Sequence, residues 1–425
     1  LAQRSAVLRK LADLIDRHRE TFALYESMDV GKPITNALTV DLPWVIGHLR
    51  ETIDMAAQLT SPSGSDDGHF AYQHRKPVGV VAGICGWNFP LLLAMFKMAP
   101  ALMMGNSLVL KPSDFTALST SLLAELAFEA GVPAGVFNVV QGAGVTVGQA
   151  LSYHADVDLL SFVGSSATGK AIVKAAGESN MKRLILECGG KSPYLVFDDC
   201  PDDLEALAED IVAKAFPNQG ALCIAGTRLL IQAGIRKKLM PLIIEKAQAI
   251  TPQDPLLEEA RFGALINQGH LEKVQAYIAS GKEQGATLLL GGEPFTPADK
   301  SLADGYYLAP VIFDEVDPAA RIAQEEIFGP VLSVFTFQDE AEAIALANNS
   351  EFGLWAYAAT ENIGRGQRLA QGINAGSLII RASNSPGAGN VSLAADKHKQ
   401  SGMGLSGGLD GLAAYSQTTT VHMLT

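Results

Sequence analysis

Five short apolar runs recur along the middle of the chain: VGVVAGIC (78–85), NSLVLKP (106–112), GVFNVV (135–140), VDLLSFVG (157–164) and KRLILEC (182–188). Each is separated from the next by an amphipathic helical segment, the pattern of parallel strands joined by crossover helices. The runs are almost continuously hydrophobic, so both faces of this sheet should be covered, as in a doubly wound α/β domain whose ligands sit at the carboxyl ends of the strands. A second set, PYLVFDD (193–199), TRLLIQ (227–232), ATLLLGG (286–292) and VLSVFTF (331–337), predicts a second α/β domain after Cys188. Between the opening helices and the first run, TSPSGSDDGHFAYQHRKP (60–77) is small and polar, then alternates like an exposed ribbon, and YSQTTTVHML (415–424) reads as one strand.

Leu8, Leu11, Leu14 and Ile15 lie at helical spacing in the first twenty residues, with neither Met nor a capping residue in front. This predicts a chain that starts inside a longer protein. FPLLLAMFKMAPALMMG (89–105) is interrupted by Lys97 and Pro100 and is shorter than the roughly 18 to 20 apolar residues of a membrane span, so a buried helix is expected. The Gly-rich NSPGAGN (384–390) and SGMGLSGG (401–408) read as loops, and no internal repeat is visible.

Charge and cysteine usage narrow the function. A formal net charge of −13 with scattered Lys and Arg leaves no electrostatic footprint for nucleic acid. No export signal opens the sequence, which predicts a cytoplasmic protein. Cys85, Cys188, Cys200 and Cys223 show no C-x-x-C spacing and the eight histidines do not cluster, so neither a metal site nor a disulfide framework is expected.

FVGSSATGKA (162–171) comes close to a phosphate-binding P-loop, but Ala171 stands where a magnesium-ligating Ser or Thr belongs, which argues against a P-loop ATPase. Gly164 and Gly169 still permit close backbone approach, and Ser165, Ser166 and Thr168 can cap a helix starting at about Thr168. Its N-terminus either receives a pyrophosphate without magnesium or is only a capped strand-to-helix turn. In FPNQGALCIAGTR, Cys223 follows a polar glycine-containing loop, the surroundings of an accessible thiol. In LILECGGKSP, Glu187 closes a buried strand, where desolvation suits a general base. In GWNFP, Asn88 can donate to an oxyanion.

These motifs, with LKPSD and EEIFGPV, stand in the order and approximate spacing of the aldehyde dehydrogenase superfamily, which the chain resembles from Leu8 to Val421. FPNQGALCIAGTRLL, ECGGKSP and MKR look most like its γ-glutamylaminobutyraldehyde and ω-aminoaldehyde branch. The resemblance implies a cofactor domain over 1–59 and 77–187 with its first strands absent, a catalytic domain over 188–410, and a β arm over 60–76 and 411–425 that assembles a homodimer or homotetramer. It implies Cys223 as nucleophile, Glu187 as water-activating base, Asn88 as oxyanion donor and Lys97 as proton relay supporting Glu187. It implies NAD held by Trp87, Lys111, Asp114, Gly164, Ser165, Glu326 and Phe328. A carboxylate at Asp114 suits ribose hydroxyls and repels a 2′-phosphate, so NAD is expected over NADP.

The chain departs from the family near its end. Ala394, Ala395, Asp396 and Lys397 replace a Pro-Phe-Gly-Gly run, and Arg381, Trp355 and Ser406 replace an asparagine, a small residue and a frequent glutamate. These changes fall in the region the resemblance assigns to the substrate mouth, and they keep open a second reading, a catalytically degraded relative acting as a binding subunit.

Overall fold

The computed structural model describes residues 1–297, 299–383 and 393–424. The NSPGAGN run expected as a loop lies outside the described residues. Among the described residues a six-stranded sheet runs, edge to edge, Gly402–Met403, Arg183–Glu187, Leu159–Val163, Val80–Ile84, Ser107–Lys111 and Phe137–Val139. All five runs that predicted its parallel strands are present. The edge strand Gly402–Met403 is antiparallel, with Gly402 opposite Glu187, and it comes from far along the chain.

Burial on both faces explains the unbroken hydrophobic runs. Val81, Leu159 and Ile185 pack with the helices Ala2–Arg17, Leu42–Ala56 and Pro90–Met103, while their neighbours Ala82, Leu160 and Leu186 pack on the other face with Ile172 of the helix Ser166–Glu178. Successive side chains of a strand point to opposite faces, so each strand needs apolar residues at consecutive positions. The helix Pro90–Met103 is buried at every residue but Phe96, which accounts for its all-round hydrophobicity.

The second sheet has seven strands in the order Thr287–Leu290, Val311–Asp314, Val331–Phe337, Arg228–Gln232, Pro193–Val196, Trp355–Ala359 and Ser377–Arg381. It shows the same division, with Leu195 and Leu230 in one core and Tyr194, Val196, Leu229 and Ile231 in another. Its first strand is antiparallel to the second. A third, antiparallel sheet joins Ser63–Asp66, His69–Pro77 and Ser416–Leu424, with Ser416 opposite Pro77 and Leu424 opposite His69. The opening helical run is broken at His18 into Ala2–Arg17 and Arg19–Val30. Among the described residues no helix is long and apolar enough to cross a membrane.

Candidate active site

The strand order of the six-stranded sheet reverses beside Val80–Ile84, whose sequence neighbour Ser107–Lys111 lies on one side and the later Leu159–Val163 on the other. Ligands of open α/β sheets bind outside the carboxyl ends of strands at such a switch point. Trp87 and Asn88 follow one of these strand ends and Gly164 and Ser165 follow the other, while Lys111 and Glu187 close two more.

The helix expected from about Thr168 starts at Ser166, because Ser165 is the cap: its Oγ accepts the Thr168 N–H at 3.2 Å. A Cβ on Gly164 would lie 2.5 Å from the Phe162 ring, so the turn requires glycine. Lys170, the lysine of the apparent P-loop, donates to Gln400 Oε1 at 2.8 Å instead of facing a phosphate site. Across the sheet Lys111, buried, donates to Asp114 Oδ1 at 2.6 Å and to the Pro112 carbonyl at 2.9 Å. The set of capped helix N-terminus, fixed lysine and half-exposed carboxylate fits a dinucleotide with two riboses and a bridging anion.

Cys223 is half-buried and follows a tight turn in which Asn218 and Gln219 take φ of 50° and 58°. Two asparagines pin that turn. Asn88 Nδ2 donates to the Ala221 carbonyl at 3.0 Å, and Asn218 Nδ2 donates to the Asn88 carbonyl at 2.9 Å. One N–H of the Asn88 amide is thereby spent on the cysteine loop, and the amide carries a second. Burial, then the charges of Glu187 and Glu326, pushes the Cys223 thiol up to about 12, against the pull of the Cys223 and Ile224 N–H groups. The thiol form therefore dominates at neutral pH.

The Gly pair after Cys188 brings the remaining parts together. A Cβ on Gly190 would run into the Cys223 carbonyl oxygen, and one on Gly189 would lie 2.5 Å from Glu326 Oε2. The Gly190 N–H donates to Glu326 Oε1 at 3.0 Å. Burial raises the Glu326 carboxyl, offset by that N–H and by the charges of Lys273 and Lys191. Phe328, at φ 60°, meets Trp87 edge to face at 5.2 Å between ring centres. His270 completes this aromatic group, 5.1 Å from Trp87, and its Nε2 donates to the Phe328 carbonyl at 2.8 Å. Burial pushes its imidazole down to about 4, so it is neutral. No motif pointed to His270, which opens the helix Gln268–Glu283 far from any of them.

Glu187 has a side chain 26% exposed and an ion pair at 2.7 Å with Lys397. Lys97 is fully buried; burial pushes its ammonium down, while Cys85 and Glu187 pull it up and Lys397 pushes it further down. Its charge is felt by Glu187, but the lysine in contact with that carboxylate is Lys397. Of the altered residues, Arg381 pairs with Asp210 at 3.5 Å, Ser406 accepts from Lys397, and Trp355 opens the strand Trp355–Ala359 of the second sheet and lines a small cavity with Lys191. Arg381 Nη1 is thus paired within the protein, while its buried Nε has no hydrogen-bond partner among the described residues. Among the described residues no group of His, Cys, Asp and Glu is placed to hold a metal.

The Gly189–Gly190 pair thus sets Glu326 and the Cys223 main chain side by side next to the end of the strand that carries Glu187, and Asn88 is bonded to the loop before Cys223. The NADP/NAD-dependent aldehyde dehydrogenase PuuC of Escherichia coli is 43% identical over 99% of this chain and 83% of that protein. An indole-3-acetaldehyde dehydrogenase solved with NAD+ is 41% identical with a TM-score of 0.95, over 100% of this chain and 84% of the other. The γ-glutamyl-γ-aminobutyraldehyde dehydrogenase of Burkholderia cenocepacia is 39% identical with a TM-score of 0.94, over 99% and 84%. The family model of the aldehyde dehydrogenases matches residues 1–421, and the chain belongs to the aldehyde dehydrogenase family.

Proposed function

We propose that the chain oxidises an aldehyde to a carboxylic acid with NAD as hydride acceptor, and that its substrate is an ω-amino or γ-glutamylamino aldehyde. The observation that carries the reaction is the Gly189–Gly190 pair, which seats Glu326 on one side and the Cys223 backbone on the other at the end of the strand that carries Glu187. The similarity to the γ-glutamyl-γ-aminobutyraldehyde enzyme supports the substrate class.

Cys223 Sγ loses its proton to solvent and attacks the carbonyl carbon as thiolate, and the oxyanion accepts hydrogen bonds from Asn88 Nδ2 and the Cys223 N–H. NAD, when bound, accepts the hydride that leaves this carbon, so the carbon is oxidised and remains on sulfur as a thioester. Glu187 then takes a proton from water as its oxygen bonds the acyl carbon; the C–S bond breaks and the acid departs. Lys111, Asp114, Gly164, Ser165, Trp87, Glu326 and Phe328 hold the dinucleotide, and Asp114 favours NAD over NADP by repelling a 2′-phosphate. The six-stranded sheet with 1–59 and 77–187 is the cofactor domain, 188–410 carries the nucleophile, and 60–76 with 411–425 joins subunits into a dimer or tetramer.

The test is NADH absorbance with a panel of amino, acidic and aromatic aldehydes, together with acid quantified in the same reaction. NADH and acid in equal amounts, fastest with amino aldehydes, are expected. Silence across the panel with NAD binding intact would assign the chain to the degraded, binding-only reading.

A further inference from the structure

Lys397 stands at the last position of the stretch that replaces the Pro-Phe-Gly-Gly run, where a glycine would carry no side chain at all. Its side chain is fully buried, and its Nζ lies 2.7 Å from Glu187 Oε1, 2.7 Å from Ser406 Oγ, and 3.1 Å from each of the Ala395 and Gly404 carbonyls. An ammonium has three N–H donors, so four acceptors saturate it. Three of the acceptors belong to the 395–406 segment, which closes on itself through the Ala395 N–H to Ser406 carbonyl bond at 2.8 Å and the reverse bond at 3.2 Å.

That segment has no slack against the strand that carries Glu187. Gly402 pairs with Glu187, at φ 135°, and a Cβ there would run into the Leu186 carbonyl. The Cys188 N–H donates to the Ser401 carbonyl at 2.8 Å. The ammonium is therefore fixed by main chain on both sides, and it holds one carboxylate oxygen of Glu187. The other, Oε2, is left to accept a proton from water.

We propose that Lys397 is a positioning residue for deacylation: by holding Oε1 it keeps Glu187 aimed at the water that releases the acyl group from Cys223. This rests on the Cys223 and Glu187 roles above. In the step itself the water oxygen bonds the acyl carbon, the water proton passes to Glu187 Oε2, and the C–S electron pair returns to Cys223.

The experiment uses p-nitrophenyl acetate, whose nitrophenolate burst reports acylation of Cys223 and whose steady phase reports deacylation. In Lys397→Met the burst amplitude and NAD affinity are expected to stay within twofold of wild type. Deacylation should slow about tenfold, as a misplaced catalytic group of under 1 Å implies. In Glu187→Gln the same Lys397→Met change should cost less than twofold, since there is no base left to position. Ser406→Ala, a milder change that removes one anchor of the ammonium, should slow deacylation about threefold in the wild-type background only. An equal loss in both backgrounds, or no loss in either, overturns the role of Lys397. A wild-type protein with no burst overturns the Cys223 reading itself, a separate failure.

Discussion

Gly189→Ala tests whether the Gly pair is the joint that positions Glu326. The added Cβ would lie 2.5 Å from Glu326 Oε2, 2.9 Å from its Cδ and 3.2 Å from Oε1. A comfortable carbon–oxygen contact is about 3.3 Å, so the carboxylate must retreat by about 0.8 Å. It is half-buried, and retreat breaks the 3.0 Å hydrogen bond from the Gly190 N–H. A hydrogen bond to a charged group contributes about 1.5–3 kcal/mol, which corresponds to about 10- to 100-fold if Glu326 holds the cofactor in the reactive pose. The loss should appear in kcat/KM for NAD, measured at saturating aldehyde, while the burst with p-nitrophenyl acetate, which needs no NAD, keeps its amplitude. Gly177→Ala is the control: nothing lies within 4 Å of its would-be Cβ, and it should be neutral or slightly stabilising. A Gly189→Ala protein whose kcat/KM for NAD stays within twofold of wild type would refute the argument.

Asn88→Ala should lower kcat about 10²- to 10³-fold by removing an oxyanion donor. Because Asn88 also pins the Ala221 carbonyl, isothermal titration should show NAD affinity unchanged while aldehyde turnover collapses. With the Cys223 thiol at about 12, its thiolate fraction at pH 7 is about 10⁻⁵ and grows as pH rises. Alkylation by iodoacetamide should therefore accelerate about tenfold per pH unit up to pH 9; a plateau near pH 8 would contradict the burial of the sulfur. Lys32 lies buried 2.5 Å from Asp41 and 3.5 Å from Glu26. Lys32→Met leaves both carboxylates unpaired and should cost about 3–5 kcal/mol in urea unfolding. Burial already holds the Glu26 carboxyl above its ordinary range, so this deficit should shrink as pH falls and the carboxyl protonates.

The parallel strands were legible because burial on two faces writes an unbroken apolar run, and all five runs before Cys188 are strands. Val311–Asp314, Trp355–Ala359 and Ser377–Arg381 went unassigned. The second is built largely of alanine and the third mixes half-exposed residues into an edge, while nothing in its own residues explains why the first was passed over. The helix start at Ser166 was misplaced by two residues because any of three hydroxyls in SSATG can cap, and only the geometry selects Ser165. His270 is neutral, partly buried and distant in sequence from Phe328, so its hydrogen bond to that carbonyl left no local signature.

Lys397 shows the other limit of a sequence reading. As a departure from a family pattern it helped to keep open the degraded reading, because a Pro-Phe-Gly-Gly run was gone. In three dimensions the same substitution places a saturated ammonium on Glu187, the carboxylate proposed above for the hydrolytic step, while Lys97 is fully buried and is coupled to Glu187 through charge. A motif broken in sequence can still be whole in chemistry when the replacing side chain reaches the same partner from another element. Whether this one does is decided by the coupling between Lys397→Met and Glu187→Gln: two residues that act on one water lose rate together, and two that merely share a fold lose it independently.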